Sequence, residues 1–122
     1  MQLPNAEEQI MKYLWKLEKA FMKDILNEFQ SPKPATTTVA TLLRRMIDKD
    51  VVGYTQYGKR RQYYPKIKKS EYFASHINGL IHNFFNDSAS QFASFFTSET
   101  NLSEKELEEL RDIVNKRIKN KK

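Results

Sequence analysis

The strongest constraint on the fold is an apolar stripe in residues 35–49, directly after the turn segment Ser31-Pro32-Lys33-Pro34. The apolar residues there recur at the i, i+3, i+4, i+7 and i+8 positions of one helical face, and they are Val39, Leu42, Leu43, Met46 and Ile47. The other face is small and polar, with Thr37, Thr41 and Arg44 flanked by Thr38, Ala40 and Arg45. The pattern predicts a helix that begins between Ala35 and Thr37, ends at Lys49, and buries one face only.

Two shorter helices are predicted before this stripe. The first spans about residues 6–17, where the apolar residues at helical spacing are Ile10, Met11, Leu14, Trp15 and Leu17. Asn5 is its predicted N-cap, with Glu8 as the acidic residue of a capping-box variant. A polar break follows at residues 16–19, and a second helix runs from about Met22 to Gln30. The two prolines end it, because each fixes φ and disfavours helix in the residue before it.

A β-hairpin is predicted after the third helix. Residues 51–57 and 61–65 are rich in Val and Tyr, which favour strands, and Gly58 with Lys59 and Arg60 predicts the turn between them. The order helix, helix, turn, helix, hairpin is that of a winged helix-turn-helix. We therefore expect a mainly α fold with a small β hairpin, in which residues 1–68 form a winged-helix DNA-binding domain.

The C-terminal half has a different character. Six of the eight phenylalanines lie between Phe73 and Phe96, and the only formal charges from Ser70 to Ser98 are Glu71 and Asp87. A helix break is predicted at residues 86–88, and a capping box from Ser103 to Glu106 predicts a last helix with Leu107, Leu110, Ile113, Val114 and Ile118 facing inward.

This apolar stretch exceeds what a three-helix domain can cover, so residues 69–122 are interpreted as a helical dimerisation region. An ordinary monomeric core folded back on the first domain is the alternative. The residues expected in the dimer interface are Phe73, Ile77, Leu80, Ile81, Phe84, Phe85, Phe92, Phe95, Phe96, Leu107, Leu110, Ile113 and Val114.

The distribution of charge favours double-stranded DNA as a partner. The formal net charge is +6, and residues 40–69 hold nine Lys or Arg against Asp48 and Asp50. A small hydroxylated helix face suits the major groove, and a basic hairpin tip suits the flanking phosphate backbone or the minor groove. Taken singly, either feature is equally typical of a solvated surface. The residues expected to contact DNA are Thr37, Thr38, Thr41, Arg44, Arg45, Lys59, Arg60 and Arg61.

Several other classes of function are disfavoured by the sequence. The chain contains no cysteine, which excludes disulfides, zinc–thiolate sites and thiol redox sensing. His76 and His82 lie six residues apart and do not share a helical face for a metal, and no Gly-rich phosphate loop is present. We therefore expect no enzyme activity, no metal and no cofactor.

The location expected from the sequence is cytoplasmic. No run of about 18 apolar residues is present, so no membrane insertion is expected. The first residues lack the basic and apolar regions of a signal peptide.

Three segments resemble the penicillinase-repressor family. Ala6-Glu7-Glu8-Gln9-Ile10-Met11-Lys12-Tyr13-Leu14-Trp15 is similar to the family's opening, and residues 38–46 are similar to its recognition helix. The most discriminating segment is Leu102-Ser103 followed by Glu106 and by Glu109-Leu110-Arg111-Asp112-Ile113, which resembles its last helix. The resemblance implies a dimeric repressor that binds a dyad operator.

The resemblance also implies regulation by a membrane-bound zinc metalloprotease receptor and induction by cleavage in the dimerisation region. The family's cut lies at an Asn-Phe bond, whereas the corresponding stretch here is Ser94-Phe95-Phe96-Thr97 and lacks the Asn. The expected cleavage region is therefore Ser94, Phe95 and Phe96. Copper sensing through a C-terminal cysteine motif, known in one branch, is excluded here by the absence of cysteine.

Two interpretations remain at this level: a DNA-binding repressor, and a winged-helix adaptor that binds only proteins. Their salt dependence separates them, because a protein that contacts several phosphates loses affinity steeply as salt rises.

Overall fold

Residues 2–122 are described by a computed structural model, and the helices and strands among them follow one order. They are α1 (Asn5–Leu17), β1 (Ala20–Phe21), α2 (Met22–Glu28), α3 (Thr36–Asp48), β2 (Val52–Tyr57), β3 (Arg60–Pro65), α4 (Lys69–Phe84), α5 (Ala89–Glu99) and α6 (Glu104–Lys121). The chain divides into two compact units, the first ending at His76 and the second beginning at Ile77.

The core of the first unit is built on the apolar stripe of α3. Val39, Leu43 and Met46 are buried, while Leu42 and Ile47 are half-buried against the same cluster. Their buried neighbours from α1 and α2 are Ile10, Met11, Leu14 and Ile25. The predicted helix and its apolar face are confirmed. Asp50 follows α3 with a left-handed φ of 63°, a conformation that Asp tolerates better than most residues.

A three-stranded antiparallel sheet of order β1-β3-β2 completes this unit. The predicted hairpin is confirmed as β2 and β3, although β3 begins at Arg60, one residue earlier than expected. The sequence did not predict β1, in which Ala20 pairs with Tyr63 and Phe21 with Gln62. A two-residue strand is too short to show a period-2 pattern, so its only signal is its position beside β3.

The N-terminus of α1 differs from the prediction. The residue before the helix is Pro4, without a side-chain cap, so Asn5 lies inside the helix. The two acids of the first turn make long-range contacts instead. Glu7 is buried and its Oε1 lies 2.7 Å from Lys49 Nζ, while Glu8 Oε2 accepts a hydrogen bond of 2.7 Å from the Tyr72 hydroxyl.

The start of α4 belongs to the first unit because Tyr72 is buried there. The Tyr72 oxygen accepts a hydrogen bond of 2.9 Å from the backbone N–H of Leu3. Trp15 Nε1 donates to the Ile67 carbonyl at 2.9 Å, and the Trp15 ring lies 5.6 Å from that of Tyr72 and 5.9 Å from that of Phe73. The boundary expected between residues 68 and 69 therefore lies eight residues before the division at 76 and 77.

The second unit contains the remainder of α4 together with α5 and α6. The predicted break is confirmed, since Ser88 caps α5 by accepting a hydrogen bond from the Gln91 N–H. The Phe85 ring lies 5.5 Å from the rings of both Phe92 and Phe95. The capping box of α6 is also confirmed, with reciprocal hydrogen bonds of 3.1 Å between Ser103 and Glu106.

The inward orientation predicted for the apolar residues of α6 is wrong within a single chain. Ile113, Val114 and Ile118 are 58%, 56% and 51% exposed, and neither α5 nor α6 has a buried residue. The amphipathic pattern is present, but this chain supplies no surface that covers it. In the part of the chain from residue 2 to residue 122, no helix has the length and apolarity needed to cross a membrane.

Replacing Tyr72 with Phe tests the anchoring of α4. We expect the free energy of unfolding to fall by about 1–3 kcal/mol, because the buried Leu3 N–H then lacks an acceptor. Urea unfolding at pH 7 measures this change. Tyr13→Phe is the matched control, since the half-buried Tyr13 hydroxyl accepts one local bond from Gln9 and is expected to contribute less. An equal loss in both variants contradicts the anchoring role.

The same variant alters the pH dependence of stability. Burial raises the pKa of the Tyr72 hydroxyl above its ordinary value of 10.0, so the folded state favours the neutral form. The stability that the folded state gains from this raised pKa is complete below about pH 10. It is lost as the pH rises through the pKa of Tyr72 in the folded state. The wild type should therefore lose stability above pH 10 more steeply than Tyr72→Phe.

Candidate nucleic-acid interface

The outer face of α3 carries the residues predicted to contact bases. All five are exposed, because the opposite face of the helix packs in the core; they are Thr37, Thr38, Thr41, Arg44 and Arg45. The Thr41 hydroxyl donates to the Thr37 carbonyl at 2.9 Å, so its oxygen remains available as an acceptor. Neither arginine forms a salt bridge within residues 2–122.

The hairpin tip holds its three basic residues in different surroundings. Gly58 adopts a positive φ of 61° in the turn, and Lys59 follows it as an exposed residue. Arg60 and Arg61 instead lie in β3. The guanidinium carbon of Arg60 is 3.9 Å from the centroid of the Phe21 ring, and that of Arg61 is 4.2 Å from the Tyr54 ring. Stacking on a ring restrains each guanidinium in advance of any contact.

A recess of about 400 Å³ joins the hairpin to the start of α2 and α3. Its lining contains four basic residues and no acid, together with Thr36 and three apolar or aromatic residues; the basic ones are Lys23, Lys59, Arg60 and Arg61. Lys23 and Thr36 are candidate site residues that the sequence did not single out. Placing them required β1, since Phe21 sets the start of α2 beside the hairpin.

Acidic partners are concentrated elsewhere in the first unit. Glu7 pairs with Lys49 and Asp50 with Lys66, both near the C-terminal end of α3. The hydrogen bond from Lys66 and the charge of Asp50 raise the pKa of the Lys66 ammonium. Asp24 accepts a hydrogen bond of 2.9 Å from the Phe21 backbone and so caps α2. The hairpin and the outer face of α3 thus carry an excess of positive charge, with Asp48 as the single acid of that helix, and this excess attracts a polyanion.

The two histidines occupy unrelated environments. The His76 ring lies 6.3 Å from the Tyr72 ring, measured between centroids, and its Nδ1 is buried without a hydrogen-bond partner. His82 is exposed and its Nδ1 lies 2.8 Å from Asp87. Across the described residues, no group of three or more His, Asp or Glu is arranged to hold a metal.

The residues predicted for the dimer interface are half-buried or exposed. Those that are half-buried are Leu80, Ile81, Phe85, Phe92 and Leu110. Those that are exposed are Phe73, Ile77, Phe84, Phe95, Phe96, Leu107, Ile113 and Val114. Phe84 is the most exposed of these, at 73%. The predicted cleavage residues 94–96 lie inside α5, where the Ser94 carbonyl accepts hydrogen bonds from the Thr97 and Ser98 hydroxyls.

The arrangement of the first unit is that of a winged-helix domain, with α3 in the place of the recognition helix and the β2–β3 hairpin as the wing. A search of solved structures supports this class. The solution structure of the DNA binding domain of the repressor BlaI is similar, with a TM-score of 0.51 and 29% sequence identity, and the match covers 58% of this chain and 88% of that one.

Relatives with curated names are similar over nearly the full length. The penicillinase repressor of Bacillus licheniformis is 27% identical over 126 aligned residues, covering 99% of this chain and 95% of the relative. The methicillin resistance regulatory protein MecI of Staphylococcus aureus strain N315 is 26% identical over 117 residues, covering 95% of each. The family model described as penicillinase repressor matches residues 3–116, and the chain therefore belongs to the penicillinase repressor family.

Replacing Lys23 with Ala tests whether the recess contacts phosphate. We expect weaker binding to every duplex sequence. The slope of the logarithm of the binding constant against the logarithm of the salt concentration should become less steep by about 0.9, the value for one lost phosphate contact. Lys59→Ala combined with Arg60→Ala should flatten it by about twice as much. Lys12→Ala is the control, since this exposed lysine of α1 does not line the recess. Fluorescence anisotropy titrations at several salt concentrations measure the slopes. An unchanged slope in Lys23→Ala excludes that residue from the interface.

Proposed function

We propose that this chain is a DNA-binding transcriptional repressor that binds a dyad operator as a homodimer and is relieved by proteolysis in its second unit. The observation that carries the proposal is the division of α3 into a buried apolar face and an exposed face of threonines and arginines. The similarity to a penicillinase repressor and to the DNA binding domain of a repressor supports the same function.

In this proposal α3 enters the major groove, where each base pair has a distinct pattern of donors and acceptors. Small residues on its outer face allow close approach. Thr37 and Thr41 offer hydroxyls to bases or phosphates and methyl groups to thymine, while Arg44 reaches guanine O6 and N7. Lys23, Lys59 and the stacked arginines of the wing contact the flanking backbone, which sets position more than sequence.

The homodimer is supported by the exposed apolar residues of the second unit. Phe84, Phe95, Ile113 and Val114 are each more than half exposed in the single chain. A second copy that covered them would remove a large apolar surface from water. Two winged-helix units held together could then bind two half-sites about one helical turn, roughly 34 Å, apart.

Relief by proteolysis is supported by the properties of α5. The helix has no buried residue, so local unfolding of residues 94–96 for entry into a protease site breaks the ring contact between Phe85 and Phe95 but exposes no fully buried side chain. The partner implied by the family resemblance is a membrane-bound metalloprotease receptor. Because the repressor must reach both DNA and this receptor, we place it in the cytoplasm.

Arg44→Ala tests the reading of bases by α3. We expect the preference for operator over scrambled DNA to disappear while the dimer stays intact, because the bidentate contact with guanine is lost. Arg44→Lys is the control for charge: it should keep most non-specific affinity but not the preference. Competition titrations against scrambled duplex measure the ratio of affinities. Undiminished discrimination in Arg44→Ala would show that other residues read the operator.

Phe84→Asp tests the dimer. We expect monomers at micromolar concentration and weak binding to the full operator, because the charge would be buried in an apolar interface. Folding of the single chain should be unaffected, since Phe84 is 73% exposed. Asn83→Asp adds the same charge at an adjacent exposed position and is expected to remain dimeric. Sedimentation equilibrium measures the mass; a dimer that persists in Phe84→Asp rules out this surface.

A further inference from the structure

The helix α6 has oppositely charged halves. Residues 104–112 contain five acids, with Lys105 and Arg111 as the basic exceptions, whereas residues 116–122 contain five Lys or Arg and no acid. The helix dipole favours acids at the start and bases at the end, but its effect is confined to the first and last turns. It therefore does not account for Glu109 in the second turn of the helix or for Asp112 in the third.

An exposed apolar stripe runs through both charged halves. Leu107, Leu110, Val114 and Ile118 follow the i, i+3, i+7, i+11 spacing of a helical seam. Val114 and Ile118 are more than half exposed, and the 18 residues of α6 include none that is buried. Because most of the stability of a helix in a protein comes from packing of its apolar face, a partner surface would stabilise α6.

We propose that this stripe packs against α6 of a second copy in antiparallel orientation, so that the acidic half of each helix lies beside the basic half of the other. The inference rests on the homodimer proposed above and specifies the orientation of one part of its interface. The occupant is a second copy because the charge pattern is self-complementary only in this orientation. A parallel pair would place acids beside acids and bases beside bases.

One register satisfies the apolar and the charged residues together. When Leu107 lies directly opposite Ile118 of the second copy, Leu110 and Val114 are offset by one residue, about 1.5 Å along the axis, and the stripe is covered along its length. In the same register Glu106 and Arg117, which flank the stripe on one side, are offset by two residues, about 3 Å, which their long side chains can span across the interface. Twofold symmetry repeats each pair, so a dimer contains two Glu106–Arg117 pairs.

The test is a double-mutant cycle on dimerisation with Glu106→Lys and Arg117→Glu. Each single variant should weaken the dimer about tenfold, because two symmetric pairs become repulsive at once, and the double variant should regain most of the loss. Within one helix the two residues are about 16 Å apart, beyond the screening length of about 10 Å at 0.1 M salt. Coupling between them therefore reports a contact between chains.

Matched controls isolate this coupling. Glu108→Lys and Lys119→Glu make equivalent changes at the same spacing of eleven residues, but on the face of α6 away from the stripe, and should show no coupling. Glu106 also accepts a hydrogen bond from the Ser103 N–H. The loss of this cap is common to Glu106→Lys and the double variant, so the cycle cancels it. Glu106→Gln keeps the capping box and should still weaken the dimer.

Disulfide trapping tests the orientation independently, because the chain has no cysteine of its own. A mixture of Leu107→Cys and Ile118→Cys should form a mixed disulfide, whereas neither variant should link to itself. Self-linking of each variant, or absence of coupling in a wild-type chain that sediments as a dimer, overturns the antiparallel arrangement and leaves the homodimer standing. A wild-type chain that sediments as a monomer at micromolar concentration overturns the homodimer itself.

Discussion

The packing of α3 against α1 and α2 is the interaction on which the candidate site depends. Val39, Leu43 and Met46 are buried on one side of the helix, and burial of side chains of this size contributes about 1.5–3 kcal/mol each. This packing fixes the rotation of α3 about its own axis. Because the helix has 3.6 residues per turn, Thr37, Thr41 and Arg44 must then face solvent. The surface proposed to read DNA is thus a direct consequence of the core.

In the first unit, some charges are neutralised by ion pairs and others remain unneutralised. The ion pairs of Glu7 with Lys49 and of Asp50 with Lys66 neutralise charge near the end of α3, while the arginines of the wing are held over aromatic rings. A ring restrains a guanidinium without cancelling its charge, unlike a carboxylate. The wing can therefore be ordered and remain attractive to phosphate, which is the combination that positioning on a duplex requires.

Much of the fold could be predicted because periodicity and local rules decide it: the stripe of α3, the hairpin, the break before α5 and the Ser103–Glu106 box all depend on residues close in sequence. The predictions were wrong or incomplete where contacts between residues distant in sequence determine the structure. Glu8, the acid expected in the capping box of α1, instead accepts a hydrogen bond from Tyr72, and its neighbour Glu7 pairs with Lys49. Lys23 and Thr36 joined the candidate site only through β1, whose two residues carry no pattern. The predicted roles of the threonines and arginines of α3 remain predictions about binding, which geometry within one chain does not test.

The most direct test of the account is a binding titration of the wild-type chain with DNA from upstream of its own gene, beside a scrambled duplex, at two salt concentrations. We expect tight binding to one dyad with two protomers per site, and a steep loss of affinity as salt rises. Equal, weak binding to both duplexes would contradict sequence-specific reading at that DNA. No binding even at low salt would contradict the assignment of the α3 face to DNA.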